Sequence, residues 1–388
     1  MSDCKMIVAG YISLDITPVF PENYKGRTMG DIVRPGKLRR VGPAEVSPGG
    51  CVSNTGLALH QLGADVALVS KVGDDEFGRL LQDTYRRKGA DAEFIVSKDV
   101  DTSYTLVIAP PGSDRCFLVD SGANNYFFPE DLDYERAAGA QYFHFGYPAL
   151  MESFFSDGGQ RLARMMRQMQ EKGLVTSLDT AQPDPGSESA GVDWESLLAK
   201  ALPYVDFFFP SIEELGIMLD RSRYEHWQKK ADETGEDICM MLSLEEDVHP
   251  LAKKALDLGC GSVLLKCGAA GMYFLSSSEA HMEQIGERLK KKHEGAAFTG
   301  KGWGDLAVFQ DSFRPDRVLS GTGAGDTAIA GFLYGVSSGM DPDLCLKIAA
   351  GCGSMCVTTY DTLSGLLPVD KLTERIRSGW ETQHFIRP

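Results

Sequence analysis

The chain has 388 residues, of which 43% are hydrophobic, and its 55 acidic residues outnumber its 39 Lys and Arg to give a formal net charge of −16. Its hydrophobic content is ordinary for a soluble globular protein and is sufficient for one large α/β domain or two smaller ones. The negative charge opposes the long-range attraction that nucleic acid or an anionic membrane needs, so we expect neither as a partner.

The first strand-like run, Met6–Ala9, is short and is followed at once by Gly10 and then by Asp15. There is thus no long apolar segment with a basic flank and a cleavage site, so we expect neither a signal peptide nor a membrane-spanning helix. The nine cysteines form no CxxC pair and no zinc-type spacing with histidine. Reduced thiols in a cytoplasmic protein are the simplest interpretation.

From Gly50 onward, short apolar runs alternate with longer periodic runs, which predicts βαβ units and a mostly parallel sheet covered by helices. The predicted strands are Val66–Val72, Ala92–Val96, Tyr142–Phe145, Val175–Asp179, Phe207–Phe209 and Val263–Lys266. The predicted helices are Ser53–Leu62, Phe77–Lys88, Phe154–Glu171, Trp194–Ala201, Glu213–Leu219 and Leu251–Leu258. We interpret residues 1–388 as a single domain.

Two stretches, residues 11–46 and 101–121, interrupt the alternation. The second stretch, residues 101–121, predicts the strands Tyr104–Ala109 and Cys116–Asp120 around a turn at Pro110–Ser113. Strands without intervening helices predict a small sheet outside the main one, which can cover an active site as a lid. Its exposed edge can pair with a second copy of the chain, so we expect a homodimer.

Residues 221–250 and 276–317 are polar and weakly periodic, with charge clusters at 245–247 and 288–292. Runs of charge usually face water. We therefore expect both segments to be insertions at the surface.

The segment Ser320–Thr327 carries the strongest chemical signal. Its glycines allow backbone amides to crowd around a ligand, and the apolar run Ala328–Val336 predicts a helix that begins there. The unpaired N–H groups and the positive dipole end of such a helix face an anion. The segment therefore predicts a phosphate site.

Asp326 lies in the first turn of this predicted helix. A carboxylate is stabilised there by the helix dipole, which leaves a purely structural role open. If a phosphoryl group occupies the amide cradle, Asp326 is placed to accept the proton of an attacking hydroxyl. The amides of Gly323, Ala324 and Gly325 would then stabilise the charge that develops on the phosphate oxygens.

Other glycine motifs fit this segment less well. No GxxxxGK[ST] occurs, which excludes a P-loop. Gly323–Ala328 matches the dinucleotide fingerprint GxGxxA, but an aspartate inside that turn would repel a pyrophosphate, and few residues follow for the rest of such a domain. We favour the phosphoryl-transfer interpretation.

Two motifs together resemble the signatures of the ribokinase family, also known as PfkB carbohydrate kinases. Ser47–Leu59, continued by Leu62–Ala64 and Val72–Gly78, resembles the N-terminal signature, and Gly323–Asp326 resembles the C-terminal signature DTTGAGD. Further segments that resemble family landmarks are Gly122–Asn124, His144–Pro148 and Ser177–Asp179. The resemblance therefore spans nearly the whole chain.

The resemblance implies a three-layer α/β/α sandwich with a mostly parallel central sheet and a small β lid. It also implies an ATP-dependent kinase, with Mg²⁺, that phosphorylates a hydroxyl of a sugar or sugar-like small molecule. By position, Asp326 matches the catalytic base of the family. Gly323, Ala324 and Gly325 match its anion hole.

On the acceptor side, Asp15, Gly49, Gly50 and Asn54 match the hydroxyl-binding residues of the family. The side chains of Asp15 and Asn54 can accept and donate hydrogen bonds beside glycine amides, as recognition of a polyol requires. A turn aspartate for Asp15 and a helix cap for Asn54 remain open alternatives.

On the nucleotide side, Lys266 with Gly268 and Gly271 resembles the loop where the backbone of the family approaches ATP. Lys266 would meet a phosphate, or it would be a solvated lysine at the end of a strand. By the same analogy, a helix at Asp343–Thr358 would form one wall of the adenine pocket.

The chain departs from the family pattern at two places. The NxxE motif, which is tied to magnesium and phosphate, appears as Ser211–Glu214, so Glu214 either supports the metal indirectly or belongs to a capping box at a helix start. The first two positions of DTTGAGD are Ser320 and Gly321 here. Activation by K⁺ is therefore an open question for this chain.

Two other functions remain as alternatives. A nucleoside kinase of the same fold would need an aromatic clamp, for which Tyr11, Phe20 and Tyr104 are candidates, although aromatic side chains near a lid also serve for packing. A nucleotide- or sugar-binding regulatory protein without catalysis is suggested by Ser211 and Ser320. The presence of Asp326 and of the glycine cradle favours an enzyme.

Overall fold

The computed structural model describes residues 5–21, 29–32, 34–110 and 116–386. In these ranges the strands are β1 Met6–Gly10, β2 Ser13–Pro18, β3 Ala44–Gly49, β4 Val66–Gly73, β5 Asp91–Ser97, β6 Tyr104–Ile108, β7 Cys116–Asp120, β8 Tyr142–Gly146, β9 Val175–Asp179, β10 Phe207–Phe209, β11 Ser262–Lys266, β12 Gly271–Ser276 and β13 Ala307–Asp311. The helices in the same ranges are α1 Met29–Ile32, α2 Cys51–Leu62, α3 Glu76–Lys88, α4 Tyr134–Ala137, α5 Glu152–Phe155, α6 Gln160–Glu171, α7 Trp194–Ala201, α8 Ile212–Leu219, α9 Arg221–Thr234, α10 His249–Asp257, α11 Glu279–Lys292, α12 Ala324–Ser337, α13 Pro342–Cys356 and α14 Val369–Arg377.

The main sheet has nine strands in the order β13-β12-β11-β10-β9-β8-β1-β4-β5. Its strands are parallel except at β12, which pairs antiparallel with both β11 and β13. Strands such as β1, β8 and β9 are buried along their whole length. Because these strands are buried on both faces, their sequences are continuous apolar runs and do not alternate between apolar and polar residues.

Helices cover both faces of this sheet and form two hydrophobic layers. One layer includes Met165 and Met169 of α6, and the other includes Leu59 of α2 with Phe332 of α12. The expected α/β/α sandwich is therefore confirmed. None of the described helices is both long enough and apolar enough to cross a membrane.

The segment predicted as one helix, Phe154–Glu171, forms two helices, α5 and α6. The chain turns between them at Gly158 and Gly159, whose φ angles are 67° and 82°. These left-handed conformations suit glycine and end the first helix. The side chain of Asp157 accepts hydrogen bonds from the N–H groups of Gly159 and Arg161 at the start of the second helix.

A separate small sheet has four strands in the order β3-β2-β6-β7, with β2 and β6 parallel and the other pairs antiparallel. This confirms the expectation of a smaller sheet outside the main one. Pro111–Ser113 of the predicted turn, and residues 22–28 and 33 of the first interrupting stretch, lie outside the described residues.

The small sheet is joined to the main sheet at the carboxyl end of β1, where only Tyr11 and Ile12 separate β1 from β2. The side chain of Asn124 accepts from Ile12 N at 3.1 Å and donates to Ile12 O at 2.8 Å. The hydroxyls of Tyr11 and Ser103 lie 2.8 Å apart. The small sheet is thereby held at the edge where parallel α/β sheets bind their ligands.

The two segments expected as insertions contain helices and a strand. Trp227 of α9 and Cys239 pack into one hydrophobic layer, and Ile285 of α11 packs into the other. Strand β13 forms one edge of the main sheet. Both segments thus combine charged surface residues with side chains that belong to the core.

Candidate active site

The residues singled out in the sequence gather near the carboxyl ends of the parallel strands and the first turns of α2 and α12, two helices that pack side by side. This edge brings together side chains from distant parts of the chain. The arrangement follows from the topology, because the carboxyl ends of parallel strands all meet at one edge of the sheet.

Helix α12 begins directly after Gly323, whose φ is 74°. A Cβ atom at this position would lie 2.2 Å from Cγ2 of Thr362, so glycine alone fits without a shift of its neighbours. The amides of Ala324, Gly325 and Asp326 occupy the first turn, where N–H groups have no partner within the helix. The predicted anion cradle is thus at the start of a buried helix of 14 residues.

The carboxylate of Asp326 is 5% exposed and is held from three directions. Asn54 Nδ2 donates to Oδ2 at 3.0 Å, and the hydroxyl of Tyr147 donates to Oδ1 at 2.7 Å and to Oδ2 at 2.8 Å. Thr55 Oγ1 lies 3.4 Å from Oδ1 and 3.3 Å from the main-chain oxygen. A carboxylate buried this deeply needs such donors, because burial without them is costly.

Tyr147 was not assigned a role in the sequence, although it lies in the segment His144–Pro148. Its φ is 67° and its ψ is 40°, a left-handed conformation that is rare for a residue with a side chain. It also precedes Pro148, which favours extended backbone in the preceding residue. The combination Gly-Tyr-Pro after a buried strand was the available signal for a special position.

Asn54 is the fourth residue of α2 rather than its cap. Gly50 holds the cap position with a φ of 81°, where a Cβ atom would lie 2.6 Å from the carbonyl oxygen of Tyr11. The cap alternative for Asn54 is therefore wrong. The helix directs its amide at Asp326 instead.

Asp15 lies in strand β2, so the alternative of a turn aspartate is also wrong. Its Oδ1 accepts a hydrogen bond of 2.7 Å from Ser13 Oγ. Gly49 lies against this carboxylate, since a Cβ atom there would be 2.2 Å from both oxygens. Burial raises the pKa of Asp15, hydrogen bonds from Ser13 and Thr105 oppose this, and the charge of Asp326 raises the pKa further.

Lys266 is not a solvated lysine, because its side chain is 13% exposed and its Nζ lies 2.7 Å from Oδ1 of the fully buried Asp179. A Cβ atom at Gly325 would lie 3.6 Å from the same Nζ, so the ammonium group is next to the first turn of α12. Burial alone would lower the pKa of Lys266, but the carboxylates of Asp179, Glu214 and Asp326 outweigh it and raise the pKa.

Asp179 ends strand β9 and was recognised in the sequence only as part of a landmark. Its Oδ2 is buried and has no hydrogen-bond partner among the described residues. Burial raises the pKa of Asp179, the neighbouring ammonium of Lys266 opposes this, and the charges of Glu214 and Asp326 raise it again. An orphaned carboxylate oxygen at this depth is an open position for a ligand or a cation.

Glu214 forms a capping box with Ser211 at the start of α8. Ser211 N donates to Glu214 Oε2 at 2.7 Å, and Glu214 N donates to Ser211 Oγ at 3.2 Å. The same Oε2 accepts from Thr180 Oγ1 at 2.7 Å. The capping interpretation is therefore confirmed, and the carboxylate lies near Lys266, whose pKa it raises.

Gly268 and Gly271 bound a short helical turn between β11 and β12. Gly268 has a φ of 55° and lies against Cys239, where a Cβ atom would be 3.0 Å from the sulfur. Gly271 has a φ of 125°, and a Cβ atom would lie 2.2 Å from the carbonyl oxygen of Gln310 in β13. The pairing of β12 with β13 is therefore sufficient to require glycine at position 271.

The three aromatic residues considered as a clamp do not share one environment. Tyr11 is buried, with its ring centroid 6.2 Å from that of Tyr147. Tyr104 contacts Phe77 edge to face at 5.9 Å. Phe20 is buried. For Tyr11 and Tyr104 these contacts are packing contacts within the protein.

Among the described residues, no group of three or more His, Cys, Asp or Glu side chains is arranged to hold a metal ion. The described residues therefore do not form a metal cage from protein side chains alone. Their arrangement is compatible with a magnesium site, because Mg²⁺ is commonly bound through one or two carboxylates together with phosphates and water.

Comparison with known proteins gives a family match over most of the chain. The model of the pfkB family carbohydrate kinases matches residues 24–369. An uncharacterized sugar kinase of Archaeoglobus fulgidus is 23% identical over 315 residues, which cover 80% of this chain and 98% of that protein. The aminoimidazole riboside kinase of Salmonella typhimurium is 24% identical over 341 residues, which cover 85% and 88%.

A solved structure of Arabidopsis thaliana ribokinase, complexed with ribose and ATP, is similar to this chain with a TM-score of 0.64 and 18% identity. The similarity covers 96% of this chain and 98% of the ribokinase. The two chains therefore share a fold over nearly their whole lengths.

Proposed function

Because the chain belongs to the pfkB family of carbohydrate kinases, we propose that it transfers the γ-phosphate of ATP to a hydroxyl of a sugar or sugar-like molecule, with Asp326 as the general base. The observation that carries this proposal is the carboxylate of Asp326 in the first turn of α12. It lies in a buried pocket, beside amides that suit a phosphate, and is oriented by Asn54 and Tyr147.

In the proposed reaction the acceptor hydroxyl donates a hydrogen bond to Asp326 while its oxygen faces the γ-phosphorus of ATP. A new oxygen–phosphorus bond forms as the bond between the γ-phosphorus and the bridging oxygen of ADP breaks. The hydroxyl proton passes to Asp326, and ADP leaves with the electron pair of the broken bond.

The charge that develops on the phosphoryl oxygens would be stabilised by the amides of Gly323, Ala324 and Gly325. Amide donors fixed at a helix start need no reorganisation during the reaction, which is the main advantage of such a site. Lys266 supports this role, because its ammonium group lies beside Gly325 and stays charged.

The residues present also fit Mg²⁺, which neutralises part of the charge of the ATP phosphates when it is bound. Asp179 would hold it, since its Oδ2 is buried without a partner among the described residues, and Glu214, whose charge acts on Asp179, would support it indirectly. Phosphates and water would complete its coordination.

For the acceptor, Asp15, Asn54 and the glycines of β3 and α2 support recognition of hydroxyl groups. The carboxylate of Asp15 is already fixed by Ser13, so it can accept further hydrogen bonds without losing its orientation. We propose that the small sheet, β3-β2-β6-β7, covers this pocket as a lid and excludes water from it.

A sugar acceptor is favoured over a nucleoside by the contacts of Tyr11, one of the residues considered as an aromatic clamp. The ring of Tyr11 packs against Tyr147, and its hydroxyl is engaged with Ser103. The ring of Tyr104 contacts Phe77. Tyr11 therefore cannot stack on a nucleoside base without leaving its present partners, whereas Tyr104 is 37% exposed and does not decide between the two acceptors.

The test is ADP release with Mg-ATP across ketohexoses, pentoses, inositols, deoxy-sugar acids and nucleosides. It is run with the wild type, Asp326→Asn and Asp83→Asn, which changes an exposed acid of α3 that is paired with Arg86. We expect one acceptor class to be phosphorylated, activity to be lost in Asp326→Asn, and Asp83→Asn to match the wild type. Undiminished activity in a folded Asp326→Asn protein would refute the assignment of the base.

A further inference from the structure

The hydroxyl of Tyr147 covers both oxygens of the carboxylate of Asp326, at 2.7 Å and 2.8 Å. An ionised carboxylate offers about four acceptor positions. Asn54 takes one position on Oδ2, Thr55 faces Oδ1, and Tyr147 shares its proton between the two oxygens. Both oxygens of Asp326 are thus already engaged by donors of the protein itself.

An acceptor hydroxyl has to reach the same carboxylate, because a general base works only within hydrogen-bond distance of the proton that it removes. The hydroxyl of Tyr147 already lies between the two oxygens of Asp326 at hydrogen-bond distance from both. The phenol oxygen therefore stands where the acceptor hydroxyl is required.

The backbone conformation and the contacts of Tyr147 hold its hydroxyl in this position. Its left-handed backbone is a form of strain that is concentrated at functional sites. Its N–H donates to the carbonyl oxygen of Asp179 at 3.3 Å, and its ring packs against Tyr11. Its hydroxyl is the donor in both contacts with Asp326, because a carboxylate oxygen accepts hydrogen bonds.

We propose that Tyr147 is a positioning residue that orients the carboxylate of Asp326 and occupies the hydroxyl position on it until an acceptor hydroxyl replaces Tyr147 at one of the two oxygens. This inference rests on the proposed role of Asp326 as base. When the acceptor is bound, Tyr147 keeps its hydrogen bond to the other oxygen. In the absence of acceptor it shields the base from water, which limits hydrolysis of ATP.

The experiment compares Tyr147→Phe with Tyr142→Phe. Tyr142 begins strand β8, which directly precedes Tyr147, and it is buried. Its hydroxyl has no partner among the described residues, so its removal is the control. Acceptor phosphorylation and ATP hydrolysis without acceptor are measured on each folded protein. Tyr147→Met, an apolar replacement without a hydroxyl, serves as a second variant if Tyr147→Phe does not fold.

For Tyr147→Phe we expect the ratio of ATP hydrolysis to acceptor phosphorylation to rise about tenfold, as the loss of one hydrogen bond to a charged group would give. We also expect KM for the acceptor to fall, because the acceptor no longer competes with Tyr147, while kcat falls with the orientation of the base. Tyr142→Phe should leave the ratio and both constants at their wild-type values.

An unchanged ratio in Tyr147→Phe, with KM and kcat as in Tyr142→Phe, overturns the inference. Asp326→Asn separates this failure from failure of the proposed function. If Asp326→Asn abolishes phosphorylation and Tyr147→Phe still behaves as the control, only the inference is wrong. If Asp326→Asn phosphorylates the acceptor as fast as the wild type, Asp326 is not the base and both proposals are wrong.

Discussion

Asn54 Nδ2 donates a hydrogen bond of 3.0 Å to Oδ2 of Asp326 across 272 positions of the sequence. The two glycine-rich motifs that are far apart in the chain are therefore parts of one pocket. The contact exists because α2 and α12 pack side by side with their first turns at the same edge of the main sheet.

Replacement of Asn54 by leucine, which has a similar size, removes this donor and should lower kcat about tenfold to a hundredfold. A hydrogen bond to a charged group is worth about 1.5–3 kcal/mol, and a carboxylate that loses it turns away from the acceptor. Steady-state kinetics test this. Gln61→Leu is the control, because Gln61 is on the same helix and its amide binds the carbonyl oxygen of Leu363 instead. Equal rates in both variants would contradict the prediction.

Lys266→Met should reduce the free energy of unfolding by about 3–5 kcal/mol, since it leaves the buried carboxylate of Asp179 without its cation. It should also weaken ATP binding, which isothermal titration measures. The control is Lys253→Met, which breaks an exposed ion pair with Asp257 and should cost less than about 1 kcal/mol. A similar small change in both variants would show that the buried pair does not stabilise the fold.

Asp75→Asn should lower the melting temperature at neutral pH but have little effect in acid. Burial alone would raise the pKa of Asp75, but hydrogen bonds from Thr102 and Gly78 outweigh it and lower the pKa below 3.8. A lowered pKa contributes stability that is present above 3.8 and is lost as the pH falls through the folded-state value. Thermal unfolding as a function of pH measures this, with the exposed Asp83→Asn as control. A difference that persists unchanged in acid would be inconsistent with this cause.

Leu118→Glu should prevent the expected homodimer from forming. Strand β7 lies at the edge of the small sheet, and its residues Phe117, Leu118 and Val119 are 48%, 52% and 48% exposed. A charge there opposes edge-to-edge pairing. Sedimentation velocity measures the state of association, and Val308→Glu on the edge strand β13 of the main sheet is the control. A wild type that sediments as a monomer would remove the basis of this prediction.

The central part of the main sheet could be predicted from the sequence because buried parallel strands read as short apolar runs between amphipathic helices. Strand β13 could not, since Ala307–Asp311 forms an edge with mixed polarity and two exposed residues at its start. Strands β2 and β3 were also missed, because the stretch that contains them is rich in glycine and proline. Their pairing depends on partners that local sequence does not reveal.

In the site, Asp326 and Asn54 could be found through motifs with characteristic spacing. Tyr147 and Asp179 lie in segments that were recognised as landmarks, but neither was assigned a role, because the local sequence does not show which side chains each one contacts. Their importance lies in contacts with α12 and β11, which are distant in sequence. Lys266 illustrates the same limit, because only the fold shows that Asp179 lies beside it.

The packing of α2 against α12 has a consequence for the order of events during synthesis. Asn54 and Tyr147 leave the ribosome long before Asp326. Their side chains therefore cannot form hydrogen bonds with Asp326 until α12 has been made. Contacts between such distant positions form late and slowly in folding. If Asp326 is the base, as proposed, a nascent chain that has not yet added α12 has the proposed acceptor-binding residues without the base, and it cannot consume ATP before its fold is nearly complete.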